Sequence, residues 1–178
     1  MEKRSRKSRI ATLAAIMTVT FMTMNVYGQG SKANFSGTWA YNAEKSNTGQ
    51  TAEQGQGQRM GGFGGNFTAK QESNLLTVER TRTNREGVAS TTVTKYTLDG
   101  KESVNSTSRG DSKSVATWSA DGKTLTIKTS RTMTMNGESR TMNSSEVWSL
   151  TDASMLSIFT TSTTPNGERK VTAVYNKK

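Results

Sequence analysis

The sequence predicts an all-β protein, an antiparallel up-and-down meander of eight to ten strands closed into a β-barrel, and three observations lead there. Turn signals recur every ten to twelve residues after Ser73. Four of them are Asp-Gly or Asn-Gly pairs, at Asp99-Gly100, Asp121-Gly122, Asn136-Gly137 and Asn166-Gly167; such pairs accept the positive φ that both central residues of a type I′ hairpin turn require. The segments between turns are rich in Thr, Val, Ile, Tyr and Trp, which suit a pleated, half-buried surface.

Taken in chain order, the first 28 residues read as a signal peptide. A basic stretch, Lys3 to Arg9, precedes an apolar run from Ile10 to about Val26 and a small-residue site around Gly28. A membrane anchor would need about 20 uninterrupted apolar residues, and Thr12, Thr18, Thr20, Thr23 and Asn25 break this run. Residues 29–178 then form one barrel domain, expected in the periplasm or outside the cell with no stable membrane insertion after cleavage. Cleavage lowers the net charge from +10 to +6, so much of the basicity belongs to addressing.

The mature part opens with Phe35 to Tyr41 as a first strand. From Glu44 to Gly65 the chain turns Gly- and Gln-rich and aperiodic, a flexible loop. Beyond it, each short turn sets a register, and each register decides which side chains share a face. Asp121-Gly122 sets Trp118 opposite Leu125, and Asn136-Gly137 sets Leu125 opposite Trp148, Arg131 opposite Met142 and Met133 opposite Arg140. The Asp152 turn brings Leu150 to Leu156 and Trp148 to Ile158, and Asn166-Gly167 sets Ile158 opposite Tyr175. A three-residue loop at Arg85 to Gly87 pairs Leu76 with Tyr96. Five turns read separately thus assemble one apolar face. Asp99-Gly100 fits less well, because it sets Tyr96 opposite Ser103 and leaves Val104 on the other face.

Pairing of the first and last strands would remove both edges, which favours a barrel over an open sheet or a sandwich. In that barrel Trp39, Trp118, Leu125, Trp148, Ile158 and Tyr175 gather at one end as a packed plug. Higher on the same face stand Arg80, Arg82, Arg131, Arg140, Met133, Met135 and Met142 among Ser and Thr. A buried guanidinium without a partner is costly, so the upper end is wet or meets something anionic. These seven residues are the candidate ligand-binding set; the methionines are either ordinary core or a soft lining. Glu146 falls on the same face opposite Ile127, either to neutralise an arginine or because the register slips there.

The segment Asn34-Phe-Ser-Gly-Thr-Trp39-Ala-Tyr-Asn-Ala-Glu-Lys-Ser46 resembles the opening of lipocalin-like domain proteins exported by bacteria, and Gly37-Thr38-Trp39 resembles the Gly-x-Trp motif of lipocalins. The hairpins at Tyr96 to Lys101 and Trp118 to Lys123, and the ending Val174 to Lys178, look like the same group. The second and third lipocalin motifs have no clear counterpart. The resemblance implies a calycin-type barrel with Trp39 closing the narrow end and small apolar or amphipathic ligands reaching the other.

The chain holds no His and no Cys. That excludes Ser-His-Asp triads, cysteine nucleophiles and the usual zinc sites, and no cofactor, metal or enzymatic activity is expected. Asp99, Asp111, Asp121 and Asp152 all fall in expected turns, where Asp serves local hydrogen bonding. The Gly-rich stretch lacks Gly-Lys-Ser/Thr and a following helix, so it is no phosphate loop. The basic residues are scattered without interleaved aromatics, which speaks against nucleic acid. The expected function is non-catalytic binding of a small amphipathic or anionic molecule in the barrel. The alternative is a structural or protein-interaction module whose barrel is filled by its own side chains.

Overall fold

A computed structural model describes residues 31–47, 64–83, 86–107, 110–135, 138–164 and 167–178. The signal-peptide segment, most of the Gly/Gln-rich loop and the Asn136-Gly137 turn lie outside these residues. Ten antiparallel strands follow one another: β1 (Gly37–Asn47), β2 (Phe67–Glu72), β3 (Leu75–Thr83), β4 (Ala89–Thr97), β5 (Glu102–Thr107), β6 (Gly110–Trp118), β7 (Thr124–Met135), β8 (Glu138–Asp152), β9 (Met155–Thr164) and β10 (Gly167–Lys177). They form one sheet in the order β4-β3-β2-β1-β10-β9-β8-β7-β6-β5. The pairing of β1 with β10 bends that sheet into a nearly closed barrel.

Most registers are those the turns dictate. Leu76 faces Tyr96, Trp118 faces Leu125, Leu125 faces Trp148, Arg131 faces Met142, Met133 faces Arg140, and Trp148 faces Ile158. Three expectations are corrected. Ile158 pairs with Ala173, and Tyr175 with Leu156, because the last hairpin closes between Thr164 and Gly167, one residue earlier than an Asn166-Gly167 loop would. The slip is two residues, so the inward face is preserved. Phe35 precedes β1 and is no part of a strand. Asp111 lies inside β6, paired with Ser106, and not in a turn.

The Asp99-Gly100 corner is where the ring fails to close by backbone. Leu98 turns into the core, and its N–H donates to the Asn74 carbonyl at 2.9 Å. That widens the corner beyond a two-residue hairpin, and β4 and β5 diverge. Val104 faces outward, 57% exposed. Side chains bridge the seam instead: Asn105 Oδ1 accepts from the Lys95 N–H at 2.8 Å while Asn105 Nδ2 donates to the Lys95 carbonyl at 2.9 Å. The carboxamide thus plays the part of a peptide group on the missing strand neighbour. Two residues along, the Thr97 N–H donates to Ser103 Oγ at 2.8 Å.

One end of the barrel is packed solid. Trp39, Leu125, Trp148, Ile158 and Tyr175 are buried, and Trp118 is partly buried against them. Residues 31–36 cross beneath: the Ala33 N–H donates to the Gly122 carbonyl, and the Gln71 carboxamide accepts from the Phe35 N–H and donates to the Ala33 carbonyl. This places the Phe35 ring parallel to Trp118 at 5.8 Å and edge-on to Trp148 at 5.7 Å. Both indoles therefore stand on the inner side of the sheet.

Candidate functional site

Because side chains alternate in and out, the ladders stack the inner wall of β6 to β10 in rows. The lowest row to span all five strands is Trp118, Leu125, Trp148, Ile158 and Ala173. Directly above come Ala116, Ile127, Glu146, Thr160 and Val171, an apolar row interrupted by a carboxylate and a hydroxyl side by side. The next row is Ser114, Thr129, Ser144, Ser162 and Arg169, and above it stand Ser112, Arg131 and Met142. On the facing wall β3 carries Leu76, Val78, Arg80 and Arg82 upward in turn. Apolar floor therefore gives way to hydroxyls and guanidinium groups within three rows.

The register holds at Glu146, which faces Ile127. Its Oε2 accepts the Trp148 indole N–H at 2.9 Å, anchoring the carboxylate to the plug. Arg80 lies over the Phe67 ring, 4.9 Å from its centroid, a cation–π contact that holds the guanidinium across the interior. Burial pushes the Tyr96 phenol well above its ordinary value; the Glu146 charge adds to the rise, and Arg80 and Arg131 oppose it. The Tyr96 phenol thus lies within electrostatic reach of Glu146, Arg80 and Arg131. Thr160, paired with Glu146, is buried, yet among the described residues its hydroxyl has no hydrogen-bond partner. An unpaired buried hydroxyl costs about 1–3 kcal/mol unless something else reaches it.

Of the arginines singled out from sequence, Arg80 and Arg131 are half-buried at mid-height, whereas Arg82 and Arg140 are exposed nearer the open end. Met133 is half-buried, Met142 is 40% exposed, and the Met135 side chain lies outside the described residues. Sequence reasoning passed over Thr160 and Arg169, and it read Phe35 as part of a strand without its place in the plug. The first two were discoverable, since they share the parity of Ile158 and Tyr175. Phe35 was not, because no strand alternation governs it.

Chemistry outside the barrel is sparse. Main-chain and hydroxyl donors hold the carboxyls of Asp99, Asp121 and Asp152 below the usual carboxylate range. The Lys101 N–H leads at Asp99, Ser119 at Asp121 and Ser154 at Asp152. Each is committed to its turn. Among the described residues no group of His, Cys, Asp and Glu could hold a metal ion. A groove of about 230 Å³ lined by Leu75, Lys95, Thr97, Ser103 and Val104 runs along the β4–β5 seam.

No family model matches the chain, and no curated protein matches it. Among solved structures, it is similar to the zebrafish ileal bile acid-binding protein crystallised with cholic acid. The TM-score is 0.53 at 15% identity, covering 81% of this chain and 98% of that one. At this identity the likeness establishes the fold: all-β, ten antiparallel strands, nearly closed.

Proposed function

We propose that this protein is a non-catalytic, exported binding protein that holds a small amphipathic anion in the barrel, tail toward the plug and headgroup among Arg80, Arg131 and Tyr96. The observation that carries this reading is the polar layer itself: guanidinium groups on facing walls, above an apolar floor, near a buried Thr160 hydroxyl that lacks a partner among the described residues. A headgroup there would gain charge-assisted hydrogen bonds, and its tail would lie against apolar side chains. The similar zebrafish protein was crystallised with cholic acid, an amphipathic anion, which supports the reading without identifying the ligand.

Export rests on the basic stretch, apolar run and small-residue site of residues 1–28. Native mass spectrometry of protein isolated from its producing cells tests both parts at once. The expected result is a chain beginning at Gln29 that carries a small bound anion. A chain retaining residues 1–28 would refute export. Ligand-free protein showing no thermal shift with anionic amphipaths would refute the carrier and leave the self-filled interaction module, which the packed plug favours.

A further inference from the structure

Glu146 is an odd residue to find in a layer suited to an anion. Its side chain is half-buried on the inner wall, and its Oε2 accepts from the Trp148 indole. Among the described residues nothing donates to Oε1, and no cation forms an ion pair with the carboxylate. An ionised carboxylate can only accept hydrogen bonds, and a partly buried one short of donors is costly. A headgroup that is an anion and nothing more satisfies Arg80 and Arg131 while it repels Glu146. A headgroup that also carries a hydroxyl has a hydrogen to give.

The wall above Glu146 has the same character. Thr160 pairs with Glu146 across the β8–β9 ladder, 2% exposed and with its hydroxyl unpartnered among the described residues. One row up, half-buried Ser144 pairs with Thr129 on one side and half-buried Ser162 on the other. Arg131 stands one row higher again. From the floor upward the order is an acceptor, a belt of hydroxyls that both donate and accept, and a guanidinium donor. Two rows span about 13 Å along a strand, a gap that an arginine side chain and a sugar-sized headgroup bridge together. Arg80 and Arg131 with Glu146 leave one positive charge, which a single anionic group neutralises.

Resting on the carrier reading above, we infer that the ligand's headgroup is a hydroxylated monoanion: its anionic group meets Arg80 and Arg131, one hydroxyl donates to Glu146, and Ser144 and Ser162 bond the remaining oxygens. A sugar acid on an apolar tail has this chemistry. Isothermal titration with three twelve-carbon amphiphiles, each below its micellar concentration, separates charge from hydroxyls. Dodecanoate carries the charge alone, dodecyl β-D-glucoside the hydroxyls alone, and dodecyl β-D-glucuronide both. The glucuronide should bind about tenfold tighter than either of the others, as one or two added charge-assisted hydrogen bonds would give. Glu146→Gln keeps an acceptor for Trp148 and removes the charge; it should weaken the glucuronide about tenfold while dodecanoate binding holds or tightens. A residue that only anchors Trp148 would weaken all three probes alike. If that variant does not fold, the pair Ser144→Ala and Ser162→Ala should cost the glucuronide about fivefold and dodecanoate less than about twofold.

Dodecanoate binding as tightly as the glucuronide, with no difference between them in the variants, would overturn the hydroxylated headgroup and leave the carrier standing. The glucoside matching the glucuronide would overturn the monoanion, in favour of an uncharged polyol. Failure of all three probes to bind would remove the carrier reading with it.

Discussion

Trp39 shows how much a single residue holds in a protein whose hydrophobic content is only 31%. Its ring is fully buried, and its indole N–H donates to the Phe35 carbonyl at 2.9 Å, tying the segment beneath the barrel to β1. Trp39→Ala therefore removes a core side chain and the anchor of Phe35 together. It should cost about 3–5 kcal/mol, measured by urea denaturation. A loss below about 1 kcal/mol would mean that the plug repacks around the gap. Glycine matters at this scale where backbones meet: a Cβ at Gly110, φ +111°, would sit 2.5 Å from the Thr132 carbonyl oxygen. Residue-level roles were partly legible in the sequence. Trp39, Trp148 and Leu125 fall on one face by simple alternation, whereas the lone hydroxyl of Thr160 emerges only once its neighbours have coordinates.

At the scale of the element, the β4–β5 seam decides how the barrel closes. Asn105 supplies both a donor and an acceptor to the Lys95 main chain. Asn105→Ala deletes both and should cost about 1 kcal/mol, the worth of a typical hydrogen-bonded pair with partial solvent access. The Lys95 amide should exchange hydrogen faster, while amides in the β7–β8 ladder keep their protection. Asn105→Asp retains the acceptor alone and should fall between. Uniform loss of protection across the sheet would show that the seam is not a local latch. The misfit of Val104 at Asp99-Gly100 already marked this hairpin in the sequence. Its cause, the inward turn of Leu98, was not legible, because an Asp-Gly pair signals a turn without stating how far the next strand lies.

The whole molecule registers burial through its pH dependence. Burial raises the Tyr96 and Tyr175 phenols above their ordinary value near 10. A folded-state pKa above the unfolded one means stability that is fully present below about pH 10. It is lost as pH rises further, because the unfolded chain ionises first. Thermal denaturation from pH 8 to 11 should therefore show a falling melting temperature above pH 10, with a shallower fall in Tyr96→Phe. Normal ionisation of both phenols without loss of structure, read by ultraviolet absorbance, would contradict their burial.

Antiparallel order and the phase of side-chain alternation were set by the sequence alone, which left the strand number at eight to ten; the structure has ten. A two-residue turn and a period of two leave little freedom, and even the slipped final hairpin kept its face. Tertiary structure alone decided what lies across the barrel from what: Phe35 under two tryptophans, a seam closed by a carboxamide, and Arg80 and Arg131 sharing an interior with Tyr96 and Glu146. Those contacts join residues far apart in the chain through the curvature of a closed sheet, and no local pattern records that curvature.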